Sequence, residues 1–281
     1  MTMTIHIVTD STSDISPELA RQNGITVVPA LVRFGNEQFR DGVDLTPDEF
    51  YRRLQTSPYH PSTSQPSPAD FAGVFQTLAP SCNGIVCITI SSKLSGIYNS
   101  AVQGKSLTDS QCPIEVVDSG FNSVGLGLVL LAAARSARLG AKMEDILNQT
   151  SNTLKQTHML GVFDTMKYMV RGGRVTKIKA AAAALLGVKP MLTFKNGEVS
   201  QAGLVRTYSR GLHRLADFVK GFSKVSNLAI AHSQVPERVV EMKNKLEGVF
   251  PVDRIWTADL GPTLGAHGGP GVLLIALIAS E

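Results

Sequence analysis

The stretch Gly84-Ile85-Val86-Cys87-Ile88-Thr89-Ile90-Ser91-Ser92-Lys93-Leu94-Ser95-Gly96 decides the architecture. Residues 84–90 form a β-branched, almost wholly apolar run, the pattern of a strand buried on both faces. A Ser/Gly loop follows, then a helix expected to reach Leu107. A buried strand feeding directly into a helix is half of a βαβ unit.

Reading outward, residues 5–9 make an earlier strand that ends at Asp10. Ser16-Pro17 opens a helix, with Ser as N-cap and Pro at the first helical position, and Gly24 closes it. Residues 25–34 read as one strand. Thr46-Pro47-Asp48-Glu49 is a capping box, and Ser67-Pro68 starts a helix through Leu78. Residues 114–117 are a strand and 123–139 a long apolar helix. This alternation implies a parallel sheet with helices on both faces, an N-terminal three-layer α/β/α domain over residues 1–155. Beyond it, residues 189–194 and 199–205 flank Asn196-Gly197, a type I′ hairpin signal. Strands at 228–232, 252–257 and 271–278 complete a mixed sheet. The expectation is a C-terminal two-layer α/β domain over residues 156–281, with no repeat or low-complexity linker between the two.

A chain of 281 residues, 43% hydrophobic, can build two cores. Cys82, Cys87 and Cys112 have no paired spacing, so neither a disulfide framework nor a zinc site is suggested. The opening ten residues lack a secretory pattern, and the apolar stretches 124–134 and 271–279 fall short of the ~20 residues of a membrane helix. A soluble, cytoplasmic protein is expected. The formal charge is +4, and the basic residues are spread, with one exception. Residues 165–197 hold no Asp or Glu but include Lys167, Arg171, Arg174, Lys177, Lys179, Lys189 and Lys195.

Candidate chemistry lies in hydroxyl-rich segments: Asp10-Ser11-Thr12-Ser13-Asp14, Ser62-Thr63-Ser64-Gln65-Pro66 and Ser91-Ser92-Lys93-Leu94-Ser95-Gly96, with Asp118-Ser119 after a further strand. Ligands of open parallel sheets bind beyond the carboxyl ends of the strands, where the first and third segments fall. The alternative is that these residues merely cap helices. Gly265-Ala266-His267-Gly268-Gly269-Pro270-Gly271 reads as a loop in which His267 has little side-chain packing and the backbone can approach a ligand.

Taken together, Asp10 to Asp14, Thr63-Ser64-Gln65-Pro66-Ser67-Pro68, residues 90–96, Val117-Asp118-Ser119, Arg171-Gly172-Gly173-Arg174-Val175 and residues 265–271 resemble the signature segments of the DegV family, in order and over nearly the whole chain. Ile97 stands where that pattern usually has Thr. The resemblance implies a fatty acid in a tunnel between two domains, its carboxylate bound by Thr63, Ser95 and His267. Ser64, Gly96, Ser92 and Ser119 are further ligand-binding candidates. It also implies an ATP-binding fatty acid kinase as partner, to which the bound acid is presented for acyl-phosphate formation. The chain has no phosphate loop of its own. Arg171, Arg174, Lys177 and Lys179 are then a candidate docking surface, with a merely solvated cationic face as the alternative. The expected role is a carrier rather than an enzyme, with no catalytic residue, no metal and no cofactor beyond the bound acid. Val124, Leu126, Leu128, Leu185 and Leu186 are candidates for the tail lining by helical periodicity.

Three rivals remain. A serine hydrolase using Ser95 and His267 lacks the Gly-x-Ser-x-Gly elbow, because Lys93 and Ile97 occupy the glycine positions. A sugar or dihydroxyacetone site would need more polar walls. A nucleic-acid binder would concentrate its charge and show an aromatic platform.

Overall fold

The computed structural model describes residues 5–173 and 187–280. Its first half comprises β1 (Ile5–Asp10), α1 (Pro17–Asn23), β2 (Ile25–Val28), β3 (Leu31–Phe34), β4 (Glu37–Arg40), α2 (Pro47–Thr56), β5 (Ser62–Ser64), α3 (Pro68–Leu78), β6 (Gly84–Thr89), α4 (Ile97–Leu107), β7 (Ile114–Asp118), α5 (Ser123–Arg138) and α6 (Met143–Lys155). The second comprises β8 (Thr157–Val162), α7 (Lys167–Arg171), β9 (Lys189–Lys195), β10 (Glu198–Val205), α8 (Tyr208–Lys220), β11 (Lys224–His232), α9 (Pro236–Lys245), β12 (Trp256–Asp259), α10 (Pro262–Gly268) and β13 (Leu273–Ser280).

β2-β1-β6-β7 form a wholly parallel sheet. Successive side chains of β6 go to opposite faces. Ile85 and Cys87 join the core that holds Phe71 and Phe75 of α3 and Ile97 and Ala101 of α4. Val86 and Ile88 join Leu126, Val129 and Leu130 of α5 and Ile146 of α6. Burial on both faces is why this strand is apolar throughout.

The second sheet runs β10-β9-β8-β13-β11-β12, antiparallel except at β11–β12. β13 alternates in the same way. Leu273, Ile275 and Leu277 pack with Leu212 and Leu215 of α8 and Met242 of α9. Leu274 and Ala276 face inward to the core containing Val124 and Leu128 of α5. Helix α5 is thus packed between the two sheets, which accounts for its apolar character nearly all round. Gly127 in its middle costs about 1 kcal/mol relative to Ala in helix propensity. A Cβ there would strike the Trp256 ring and lie 3.0 Å from the Ser13 carbonyl oxygen.

The fold is the expected α/β architecture, a parallel sheet and a separate mixed sheet, and most local signals act as read. The box at Thr46 is only half formed, because Thr46 Oγ1 accepts from Glu49 N–H while the Glu49 carboxylate pairs with Arg52 and Arg53; the reciprocal box forms at Ser67 and Asp70. Ser16 Oγ accepts from Leu19 N–H at 3.2 Å, and Gly24 takes φ +64° to end α1. Asn196 and Gly197 both have positive φ, as a type I′ turn requires. Four expectations change. Of the strand over 252–257, residues 252–254 form a 3-10 turn and β12 starts only at Trp256. The single strand over 25–34 is two, β2 and β3, because Pro29 has no N–H to continue a ladder. β3 instead joins β4 and β5 in a small antiparallel sheet, so the Thr63 segment is a strand rather than a loop. The first part of the glycine-rich His267 segment, through Gly268, is also no loop but belongs to the helix α10, and only residues 269–271 lie outside it. Arg174, Lys177, Lys179, Leu185 and Leu186 lie outside the described residues.

Candidate ligand-binding site

β1 has β2 on one side and β6 on the other, so chain connections diverge between β1 and β6. Such a switch point leaves a crevice at the carboxyl ends of the strands. Here the inner face of the second sheet roofs it, and a cavity of about 90 Å³ remains. Ile90 and Leu94 come from the loop after β6, and Met159, Phe163, Leu192, Phe194, Val199 and Leu274 from the second sheet. Gly161 lets Leu274 pack against its backbone in that wall, since a Cβ there would run into the leucine side chain. Of the tail-lining candidates within the described residues, Val124, Leu126 and Leu128 are spent on sheet packing and do not line the cavity.

Thr63, Ser95 and His267 all line this cavity, with Thr12, Asn122 and Thr263 as further polar groups. Among its described lining residues there is no Lys, Arg, Asp or Glu. Thr63 Oγ1 lies 2.9 Å from His267 Nε2, a hydrogen bond across 204 residues whose direction follows the imidazole tautomer. Thr63 reaches inward because β5 pairs with β3 in the register Val32↔Thr63, which turns Ser62 and Ser64 to the exposed side. Ser95 ends a tight turn, its N–H donating to the Ser91 carbonyl at 3.2 Å. Its hydroxyl accepts from Ile97 N–H at 3.3 Å, at the N-terminus of α4. A Cβ on Gly96 would lie 2.6 Å from Gln65 Oε1, so glycine here lets the Thr63 segment close over the Ser95 segment.

Ser64, Gly96, Ser92 and Ser119 do not line the cavity. Ser92 N–H donates to Asp118 Oδ1 at 3.1 Å, and Ser119 Oγ accepts from Phe121 N–H at 3.1 Å. These hydroxyl-rich turns are used to hold adjacent loops together.

The glycines around His267 work differently from the sequence reading: they permit dense packing instead of leaving the ring bare. A Cβ at Gly265 would lie 2.7 Å from Phe50 and from the Tyr51 hydroxyl. One at Gly172 would meet the His267 ring, and one at Gly269 the Tyr168 ring. α7, with exposed Arg171, is therefore pressed against the imidazole.

Three carboxylates lie behind the cavity wall: Asp10 and Asp14, from a segment noted in the sequence only for its hydroxyls, and Asp41, which the sequence reading did not single out. Asp10 Oδ1 accepts from the N–H and hydroxyl of Thr12 at 3.0 and 2.5 Å, and Oδ2 accepts from Ile90 N–H at 2.9 Å. It ties together two loops that line the cavity. Asp14 and Asp41 reach the start of α10 from the other side. Burial raises all three carboxyls above their usual range, Asp41 to about 6. The only visible signal was their place at a strand end or turn. The Ser–His pair that a hydrolase needs is not formed, because His267 Nε2 bonds Thr63 and Ser95 Oγ bonds the backbone.

Fold and cavity together define an α/β protein with a parallel sheet, a mixed sheet and a small antiparallel one, and with an apolar site at the switch point of the parallel sheet. The chain belongs to the DegV family, a family of uncharacterised proteins whose model matches residues 4–280. A DegV domain-containing protein of Caldanaerobacter subterraneus is 34% identical over 95% of both chains. One from Streptomyces coelicolor is 30% identical over 97% of this chain and 98% of its own. Among solved structures, a DegV family protein from Thermus thermophilus that binds fatty acid matches with a TM-score of 0.89 at 28% identity, covering 99% of this chain and 100% of that one. The fatty acid binding protein DegV of Bacillus subtilis matches at 0.88 and 28%, with the same coverage. A stearic acid-binding protein from Eubacterium ventriosum matches at 0.87 and 28%, over 98% of each. Among the described residues no helix is long and apolar enough to cross a membrane.

Proposed function

We propose that this chain binds a long-chain fatty acid, its carboxylate held by Thr63, Ser95 and His267 and its tail in the apolar cavity. The observation that carries this reading is the Thr63–His267 hydrogen bond at the polar part of an otherwise apolar cavity. Two hydroxyls and an imidazole N–H can each donate to a carboxylate without an arginine. Ser95 lies where the free N–H groups of α4 favour an anion. Each buried methylene contributes about 0.8 kcal/mol, so a sixteen-carbon tail supplies roughly 10 kcal/mol before ordering costs. The fatty-acid-binding relatives support the same ligand class.

The carrier role extends to a partner. An ATP-binding fatty acid kinase would convert the presented carboxylate to an acyl phosphate, docking on the cationic segment of sequence that holds Arg171, Arg174, Lys177 and Lys179. In support, α7 carries Lys167 and Arg171 and sits directly beside His267, so a partner there would face the head of the ligand.

The test is native and denaturing mass spectrometry of protein purified without delipidation. A C14–C18 acid released only on unfolding, and depleted in His267→Ala, supports the reading. Protein that is empty and takes up neither palmitate nor oleate refutes it. Charge reversal at Arg171 and Arg174 that leaves acyl-phosphate formation intact would remove the docking assignment alone.

A further inference from the structure

Asp14 and Asp41 lie outside the head-group trio, yet both close on the helix that carries His267. Asp14 Oδ1 accepts from the N–H of Gly261, the N-cap of α10, at 2.9 Å. Asp41 Oδ2 accepts from Thr263 N–H at 3.2 Å and from Ser11 Oγ at 3.0 Å. The buried hydroxyl of Tyr51 donates to the Leu260 carbonyl at 3.1 Å, one residue before the cap. α10 has only seven residues, too short to hold itself in place. Its start is fixed by groups from the other half of the chain.

The connections form a closed ring. Thr63 is on β5, β5 pairs with β3, and β3 pairs with β4. Asp41 follows β4 directly and binds Thr263 on α10, and α10 carries His267 back to Thr63 at 2.9 Å. If the Asp41–Thr263 link opens, the histidine and its threonine partner are no longer held to the same frame. Asp14 adds a second tie, through Ser123 Oγ at 2.5 Å, to the start of the buried helix α5.

This junction carries energetic costs of its own. Asp14 and Ser123 are both non-glycine residues with φ near +50°, at 53° and 47°, a conformation that persists only where the surroundings impose it. Burial pushes the carboxyls of Asp14 and Asp41 up, and no ion pair to either occurs among the described residues. Their partners are backbone N–H groups and hydroxyls.

We infer that Asp41, with Asp14 beside it, is a positioning residue for the head-group site: it anchors α10 so that His267 Nε2 meets Thr63 and a ligand carboxylate. The affinity arm of the test rests on the proposed fatty acid reading; the spectroscopic arm does not. In ligand-free protein, ¹⁵N signals of the His267 ring are expected to move in Asp41→Ala and to return in Asp41→Asn, whose amide oxygen can still accept. For palmitate, Asp41→Ala should weaken binding about tenfold, the worth of about one of the two hydrogen bonds it removes, and Asp41→Asn by less than about threefold. Hexadecanol, with the same tail and no carboxylate, should change by less than about twofold in either variant. Equal loss for acid and alcohol would mean a general structural role and overturn the inference, as would a folded Asp41→Ala with unshifted His267 signals. Should Asp41→Ala fail to fold, Ser11→Ala removes one donor to that carboxylate: shifted ring signals support the inference and unshifted ones refute it. A wild-type protein that ignores palmitate would refute the fatty acid reading while the ring signals still decide the role of Asp41.

Discussion

Thr63→Val alters the head of the cavity with little disturbance to its frame. Thr63 takes part in β5 through its backbone, paired opposite Val32, and valine suits a strand at least as well as threonine. The change keeps the branched shape and deletes one hydroxyl, which is 2.9 Å from His267 Nε2 and lines the cavity. A hydrogen bond to a charged group contributes about 1.5–3 kcal/mol, so palmitate affinity should fall roughly 10- to 150-fold. The tail offers an internal scale. At about 0.8 kcal/mol per methylene, that loss equals shortening the chain by about two to four carbons. Thr63→Val with a sixteen-carbon acid should therefore bind like the wild type with an acid of about twelve to fourteen carbons. Calorimetric or fluorescence-displacement titration of both proteins with C12, C14 and C16 acids and with hexadecanol measures this directly. A loss below about threefold for palmitate, or an equal loss for hexadecanol, would refute the placement of the carboxylate at Thr63.

Asp41 ionises near 6 in the fold against a usual 3.8, so the folded state binds the extra proton and stability falls as pH rises from about 4 to 6. Acidification from pH 7 to 5 should then raise Tm by a few degrees in the wild type and by less in Asp41→Asn; identical profiles in scanning fluorimetry would contradict this. Gly104→Ala should destabilise by about 1–3 kcal/mol despite better helix propensity, because its Cβ would lie 2.6 Å from Phe71 and 2.9 Å from the Pro68 carbonyl oxygen where α4 crosses α3. Urea midpoints compare the two proteins, and a stabilised Gly104→Ala would show that the crossing gives way. Cys87 is fully buried, and burial pushes its thiol well up; Cys112 is partly exposed, so a reagent can reach it, although burial and the neighbouring Cys82 raise its thiol to about 11 and slow the reaction. Ellman's reagent should label Cys112 in the native protein and Cys87 only after unfolding; native labelling of Cys87 would contradict the two-faced burial of β6.

Much of the fold was legible because its signals are short-range. Caps such as Ser16-Pro17 and Ser67-Pro68, the Asn196-Gly197 turn and the apolar run of β6 act within a few residues, and each appears where its chemistry requires. The segments resembling DegV also pointed to Thr63, Ser95 and His267, which the fold brings to one cavity. What misled was the range of glycine. Around His267 it reads as looseness in sequence, but Gly265, Gly172 and Gly269 are there because Phe50, Tyr51, the imidazole and Tyr168 press against their backbones.

The sequence by itself determined most of the helices and strands, their order and the hydroxyl-rich character of the switch point, since periodicity, caps and turn residues are local properties of the chain. Only the tertiary structure decided that Pro29 divides one apolar run between two sheets. It alone showed that α5 is apolar all round because it is packed between both sheets, and that Asp14 and Asp41 grip a helix more than 200 residues away. A carboxylate leaves no periodic trace of a partner that distant; its role exists only once two halves of the chain meet.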